Sequence, residues 1–140
     1  MNRQVILDTG PLVAFLDRQD HYHDWALAAW EDIEPPMLTC ESVLSEACFL
    51  LAETDGGPAA VMALLERNLI AIKFDLESEA AAVARLMARY ANVPMSLADA
   101  CAVRQSELFS RGRVLTLDAD FRIYRRHGRQ VIPLLIPDDI

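Results

Sequence analysis

Four acidic residues stand at four separate points of the chain, each where a metal-binding carboxylate would be expected. They are Asp8, Glu46, Asp99 and Asp118. The first and the last follow short apolar runs that have the pattern of buried strands. The other two lie in apolar segments with helical patterning, where an unpaired carboxylate is costly to bury. Because the chain has only one lysine, Lys73, to pair with them, the four acids together suggest one shared hard cation.

The chemistry of such a cluster follows from its charge. Carboxylates that lie close together repel, and at least one of them holds a proton unless a cation intervenes. Oxygen ligands without histidine or cysteine favour Mg²⁺ or Mn²⁺ over zinc. A cation held in this way can activate water and stabilise the charge that develops on a phosphate during phosphodiester hydrolysis. We expect the nearby hydroxyls of Thr9, Ser96 and Thr116 to orient the ligands or a bound water.

Each acid also has a simpler interpretation when it is taken singly. Asp8 could belong to a turn after a strand, and Glu46 could lie on an exposed helix face. Asp99 could cap a helix, and Asp118 could cap a loop. The cap of Asp99 would be a capping box with Ser96. Either Asp118 or Asp120 would cap the turn that begins at Phe121. These alternatives remain open for each residue, whereas a shared cation accounts for all four.

Apolar runs along the chain predict alternating strands and helices. The predicted strands are residues 5–7, 37–39, 69–74 and 114–117, with 130–135 as a candidate fifth. The predicted helices are residues 11–16, 21–33, 41–53, 59–67, 77–90 and 96–110. Because the strand runs are continuously apolar, they predict a parallel sheet covered by helices on both faces. Ligands bind such sheets at the carboxyl ends of the strands, which places Asp8 and Asp118 at one edge.

Length, composition and charge limit the classes of protein. The 140 residues suffice for one domain, 1–140, and 53% of them are hydrophobic, which predicts a full core. The first residues lack the features of a signal peptide and no apolar run could span a membrane, so we expect a cytoplasmic protein. The three cysteines include no CxxC pair, which favours reduced thiols over a zinc site. A net charge of −8 argues against binding nucleic acid by general electrostatics, but not against an enzyme that meets phosphates through a cation.

At these residues the chain resembles the PIN-domain ribonucleases, and especially the VapC-like toxins of bacterial type II toxin–antitoxin modules. The segments that carry the resemblance are, in order, Leu7-Asp8-Thr9-Gly10-Pro11-Leu12, Phe15-Leu16-Asp17-Arg18, Asp20-His21-Tyr22-His23, Glu46, Leu97-Ala98-Asp99-Ala100 and Leu115-Thr116-Leu117-Asp118-Ala119-Asp120-Phe121. Each segment alone has low specificity, but their order and spacing together are fairly specific.

The resemblance implies a fold, an activity and partners. The fold is α/β, a three-layer α/β/α sandwich around a mostly parallel sheet of four or five strands. The activity is that of a Mg²⁺- or Mn²⁺-dependent endoribonuclease that hydrolyses RNA phosphodiester bonds. The implied catalytic and metal-binding acids are Asp8, Glu46, Asp99 and Asp118, with Asp120 as a candidate accessory ligand. The resemblance also implies a homodimer and a small antitoxin protein that blocks the site.

Parts of the same pattern also occur in proteins with other functions. Two related functions stay open, namely a housekeeping RNA-processing PIN nuclease and a catalytically silent PIN-fold interaction module. A haloacid-dehalogenase-type phosphatase is disfavoured, because it needs a second acid where Gly10 stands. A response-regulator receiver is disfavoured as well, because it needs a lysine after a late strand and Lys73 does not fit.

Two surface features bear on partners. Arg122, Arg125 and Arg126 belong to a basic stretch that is either a solvated face or a contact for the RNA backbone. The helical regions at residues 11–33 and 41–53 carry more apolar side chains than one small domain is expected to bury, which favours a homodimer interface. These side chains are Phe15, Trp25, Trp30, Phe49 and Leu51.

Overall fold

The computed structural model describes residues 4–140, and its centre is a five-stranded parallel sheet. The strands are β1 Val5–Leu7, β2 Met37–Thr39, β3 Ile70–Ile72, β4 Arg113–Leu115, β5 Arg125–Arg126, β6 Gln130–Val131 and β7 Leu134–Leu135. The sheet order is β3-β2-β1-β4-β7, and every neighbouring pair is parallel. The remaining strands, β5 and β6, form a separate antiparallel pair. The predicted α/β/α class with a mostly parallel sheet is confirmed.

Helices connect the strands and cover the sheet. They are α1 Thr9–Leu16, α2 His23–Glu31, α3 Glu41–Leu50, α4 Gly57–Glu66, α5 Leu76–Arg89 and α6 Leu97–Leu108. A short 3₁₀ helix, Ala119–Arg122, follows β4. None of the helices in the described residues is long and apolar enough to cross a membrane.

The middle strand, β1, is buried on both faces. Val5, Ile6 and Leu7 are almost completely shielded from solvent, as expected for a continuous apolar run in a parallel sheet. Helix α6 packs against both β1 and β4, and its central residues 100–103 are buried as well. The carboxyl end of β1 therefore lies in the interior, and the residue that follows it, Asp8, enters a site from which water is largely excluded.

The chain enters α1 directly after Asp8. The helix predicted to begin at Pro11 begins at Thr9 instead, so Thr9, Gly10 and Pro11 form the first turn of α1. A proline is tolerated there because the first amides of a helix have no partner within the helix. The interpretation of Asp8 as a turn residue is therefore wrong. Asp8 occupies the N-cap position of α1, yet its side chain makes no capping hydrogen bond.

The candidate fifth strand at residues 130–135 divides into two short strands. Gln130–Val131 pairs antiparallel with Arg125–Arg126, whereas Leu134–Leu135 pairs parallel with β4. Pro133 lies between them and has no backbone N–H to donate. Its carbonyl still accepts a hydrogen bond from the Val114 N–H at 2.9 Å. The proline therefore separates the two strands and keeps β7 in register with the sheet.

Most of the apolar side chains expected at an interface are used inside the protein. Phe15 of α1 stacks on Trp30 of α2, with ring centroids 3.9 Å apart and planes inclined by 20°. Trp25 is half-buried and Leu51 is fully buried. Phe49 is different, because 80% of its surface is exposed. Of the five apolar side chains expected at an interface, only Phe49, at the end of α3, is largely exposed.

Candidate functional site

A cleft of about 680 Å³ opens at the carboxyl edge of the sheet. All four predicted acids line it, and so do the predicted hydroxyl residues Thr9 and Ser96. The acids come from separate elements: the end of β1, the middle of α3, the first turn of α6 and the loop after β4. They are, in that order, Asp8, Glu46, Asp99 and Asp118. Thr116 and Asp120 lie close by in sequence but do not line the cleft.

Asp8 is the most deeply placed of the acids, with 6% of its surface exposed. Its backbone N–H donates to the Leu115 carbonyl at 3.0 Å, which continues the β1–β4 pairing beyond the strand. Burial raises the pKa of its carboxyl from 3.8 to about 7. Hydrogen bonds from Thr116 and the Thr9 backbone oppose this rise, and the charges of Asp99 and Asp118 add to it. A raised pKa was expected for this cluster, but its main cause is the loss of water rather than the crowding of charges.

Thr116 connects two of the acids from beneath the cleft. Its hydroxyl donates to Asp8 Oδ2 at 2.7 Å and accepts from the Asp118 backbone N–H at 3.0 Å. The residue is completely buried, so neither bond competes with solvent. Thr116 therefore fixes the Asp8 carboxylate relative to the start of the loop that carries Asp118.

Asp99 is held by the cap of α6. The Ser96 hydroxyl accepts from the Asp99 N–H at 3.0 Å, and Asp99 Oδ2 accepts from the Ser96 N–H at 3.1 Å. The predicted capping box is confirmed. Burial raises the pKa of this carboxyl, the two Ser96 contacts lower it, and the Asp118 charge raises it. The same oxygen also accepts from the Tyr124 hydroxyl at 3.3 Å, a contact with a residue that the sequence analysis does not single out.

Asp118 and Asp120 divide the roles that the sequence left open. Asp118 Oδ1 accepts from the Asp120 N–H at 2.8 Å, so Asp118 is the residue that caps the 3₁₀ helix. The 3₁₀ helix begins at Ala119, whereas the sequence predicted a turn that begins at Phe121, two residues later. Asp118 also lines the cleft, whereas Asp120 does not. The role of Asp120 as an accessory ligand stays a prediction.

Glu46 differs from the other acids in its exposure. The expectation of a carboxylate buried in an apolar helix is wrong here, because Glu46 lies on the exposed face of α3. Its Oε2 accepts a hydrogen bond from the Thr9 hydroxyl at 3.3 Å, which joins α3 to the start of α1. Glu46 therefore lines the cleft from its solvent-exposed side, whereas Asp8 lines it as a buried residue.

The carboxylate oxygens of this cleft suit a divalent cation, although the side chains are not arranged as a complete set of metal ligands. Within the described residues, no group of three or more His, Cys, Asp or Glu side chains is already placed to hold a metal ion. The acids that line the cleft offer only oxygen, which suits Mg²⁺ or Mn²⁺. The raised pKa values of Asp8 and Asp99 show that a positive charge would stabilise their ionised forms.

The predicted RNA-contacting arginines are used in different ways. Arg125 Nη1 donates to the carbonyls of Arg122, Ile123 and Tyr124 at 2.7 to 3.1 Å. Arg126 Nη1 donates to the carbonyls of two residues at the end of α6, at 2.9 and 3.4 Å. Both guanidinium groups therefore satisfy backbone carbonyls. Arg122 is exposed, with one contact to the Ile140 carbonyl at 3.2 Å.

The family of this chain is shown by comparison with known proteins. A family model described as the PIN domain matches residues 5–126. The chain belongs to the PIN-domain family. This agrees with the resemblance found in the sequence, and the match includes all four acids of the cleft.

A solved structure gives an independent comparison of the fold. The chain is similar to the Mycobacterium tuberculosis toxin VapC20, described as a sarcin–ricin loop cleaving toxin, with a TM-score of 0.71 and 21% sequence identity. The similarity covers 84% of this chain and 92% of that one. No curated protein matches the chain. The expected likeness to VapC-like members is thus confirmed at the level of the fold.

We expect Asp8→Asn to stabilise the cation-free protein, and to do so more at pH 8 than at pH 5. Because the folded-state pKa of Asp8 is raised from 3.8 to about 7, the folded state binds the proton more tightly than the unfolded state. The stability from this proton is complete below the unfolded value and is lost as pH rises through the folded value. The full loss is about 4 kcal/mol, because one pKa unit corresponds to about 1.4 kcal/mol. Asparagine keeps the shape and carries no charge.

The measurement is urea unfolding of parent and variant in EDTA at both pH values. Asp138→Asn serves as the control, since Asp138 is exposed and does not line the cleft. The quantity compared is the difference in free energy of unfolding between variant and parent. An equal difference at pH 5 and pH 8 would show that Asp8 has an ordinary pKa.

Proposed function

We propose that this chain is a Mg²⁺- or Mn²⁺-dependent endoribonuclease that hydrolyses RNA phosphodiester bonds. The observation that supports the proposal most directly is the convergence of four carboxylates on one cleft at the carboxyl edge of a parallel sheet. The proposed catalytic and metal-binding acids are Asp8, Glu46, Asp99 and Asp118. The membership of the PIN family adds support, because it covers the residues that build this edge.

The chain's own residues have distinct tasks in this proposal. When bound, the cation supplies a positive charge that activates water and stabilises the developing charge on the phosphate. Thr116 holds the Asp8 carboxylate, and Ser96 holds that of Asp99. Glu46 faces the cleft from the exposed side, from which the RNA has to enter. The Thr9 hydroxyl in addition donates to Glu46. Contacts of this kind are expected when ligands are oriented before the cation binds.

The proposed substrate contact outside the cleft is a basic surface formed by Arg122 and Arg129. Both are exposed, and they lie on either side of the buried or half-buried residues Tyr124 to Arg126. Arg122 donates to the carbonyl of Ile140, a residue that lines the cleft, so the Arg122 end of this surface is adjacent to the acids. Exposed guanidinium groups suit the phosphate oxygens of an RNA backbone. Arg125 and Arg126 contribute less in this proposal, because backbone carbonyls already occupy them.

We further propose that the nuclease is the toxin of a type II toxin–antitoxin pair. The support is the likeness in fold to VapC20, a toxin that cleaves RNA at the sarcin–ricin loop. The partner would be a small antitoxin protein that covers the cleft. A housekeeping nuclease and a silent interaction module are the competing functions, and the cleavage and growth experiments below together separate all three.

A homodimer is proposed from the exposed apolar residues at the end of α3. Phe49 and Leu50 are 80% and 53% exposed, and Met62 of the neighbouring α4 is 46% exposed. Helices α3 and α4 pack against each other. Large exposed apolar side chains on two packed helices support the proposal of an interface.

The first test of the function replaces the acids. We expect Asp8→Asn, Asp99→Asn and Asp118→Asn to lower RNA cleavage by about 100-fold or more, since each removes a charge that holds the cation. EDTA should abolish cleavage by the parent, and Mn²⁺ or Mg²⁺ should restore it. Asp120→Asn is the control, with a milder effect. Rates are measured on a fluorescently labelled RNA, and circular dichroism confirms folding.

The same variants distinguish the competing functions when they are expressed in growing cells. A toxin slows growth as the parent chain but not as Asp8→Asn. Cleavage without any effect on growth would favour a housekeeping nuclease. Parent protein that cleaves no RNA with either cation would favour the silent module and overturn the proposal.

The second test concerns the basic surface. In the Asp8→Asn background, we expect Arg122→Gln or Arg129→Gln to weaken RNA binding and to reduce the slope of log K against log salt by about 1 each. Arg67→Gln is the matched control, because Arg67 is an exposed arginine at the end of α4. Fluorescence anisotropy at several salt concentrations gives the slopes. Equal slopes for all three variants would mean that the basic surface does not touch RNA.

The third test concerns oligomeric state. We expect the parent to be a dimer at micromolar concentration and Phe49→Asp to be a monomer, because a charge in an apolar interface loses its hydration. Val131→Asp is the control, since Val131 is 65% exposed on β6. Light scattering coupled to gel filtration reports the mass. A strictly monomeric parent, or a dimer unaffected by Phe49→Asp, would contradict the proposed interface.

A further inference from the structure

Tyr124 is a buried residue that reaches the acidic cleft from behind. Its side chain is completely shielded from solvent, and its hydroxyl lies 3.3 Å from Asp99 Oδ2. The ring packs edge-on against Tyr90 and Phe121, each at a centroid distance of 5.1 Å. Nothing in the packing alone requires a hydroxyl at this position, because the ring contacts would be the same for phenylalanine.

We propose that Tyr124 is a positioning residue that holds Oδ2 of Asp99 so that Oδ1 is presented to the cation. The proposal rests on the proposed function, in which Asp99 is a ligand. Tyr124 itself does not contact the reacting atoms in this arrangement.

The two oxygens of Asp99 are in unequal surroundings. Oδ2 accepts two hydrogen bonds, one from the Ser96 N–H and one from the Tyr124 hydroxyl. In the described part of the chain, none of the hydrogen bonds made by this carboxylate goes to Oδ1. Rotating the carboxylate would break both contacts at once. A capping box alone supplies only the Ser96 contact. The Tyr124 hydroxyl is therefore an additional constraint on the orientation of the Asp99 carboxylate.

The hydroxyl is suited to remain a donor. A phenol hydroxyl keeps its proton at neutral pH, where a carboxylate ligand is ionised, so the Tyr124 hydroxyl donates to Asp99 Oδ2. A neutral donor strengthens the orientation of Asp99 without adding a cationic competitor to the cleft.

A matched pair of tyrosines allows the hydroxyl to be tested apart from the packing. Tyr90 belongs to the same ring cluster, and its hydroxyl accepts from the Arg125 N–H at 2.9 Å, away from Asp99. Tyr124→Phe and Tyr90→Phe each remove one hydroxyl bond and keep every ring contact. Only the first removes a bond to a proposed ligand.

The experiment measures Mn²⁺ binding by isothermal titration calorimetry for the parent, the two tyrosine variants and Asp99→Asn. We expect Tyr124→Phe to raise the Kd for Mn²⁺ by about 10-fold, as is typical for a group that orients a metal ligand. Tyr90→Phe should leave this Kd unchanged, although its melting temperature falls. Saturating Mn²⁺ should restore most of the RNA cleavage by Tyr124→Phe.

The outcomes separate this inference from the proposed function. If Asp99→Asn weakens Mn²⁺ binding and Tyr124→Phe does not, Tyr124 has a packing role only and the inference is overturned while the nuclease proposal stands. An equal loss of affinity in Tyr90→Phe would also overturn it, because the effect would then come from the ring cluster. A parent that binds no Mn²⁺ would overturn both.

Discussion

The buried carboxylate of Asp8 is the constraint on which the rest of the cleft depends. β1 is the middle strand, so its carboxyl end is enclosed by the neighbouring strands and by α6. A carboxylate in such a place requires a proton, a cation or several hydrogen bonds. The protein supplies the Thr116 hydroxyl, yet the pKa still rises to about 7. Burial therefore disfavours the ionised form of Asp8, and the charges of Asp99 and Asp118 add to this effect.

The structural and the proposed catalytic roles of the acids do not exclude one another. Asp99 caps α6 through Oδ2, and Asp118 caps the 3₁₀ helix through Oδ1. A cap uses the directional lone pairs of one oxygen and leaves the second available. The caps in turn reduce the freedom of each side chain, so less entropy is lost when a ligand oxygen binds a cation. Interpretations that compete in the sequence are thus compatible in the fold.

The sequence predicts the sheet and the meeting of the acids, because these depend on local patterns and on the order of strands. It does not predict the environment of individual side chains. Glu46 is exposed because its side of α3 faces the cleft, which the apolar neighbours in sequence do not reveal. Arg125 and Arg126 are occupied by carbonyls of loops and helix ends. The contact of Tyr124 with Asp99 joins residues 25 positions apart, and no periodic pattern encodes such a contact.

The net charge of −8 is unevenly distributed along the chain. Residues 121–137 include four arginines and no acid, and one of these arginines, Arg122, contacts Ile140 at the cleft lined by carboxylates. A polyanion is attracted to the first surface and repelled by the second. In the proposed function, a cation that neutralises the carboxylates would let a phosphate of the RNA enter the cleft, and the binding of cation and RNA would then be mutually favourable. By linkage each must raise the affinity for the other by the same factor. An acidic protein can thereby act on RNA without binding it strongly when the cation is absent.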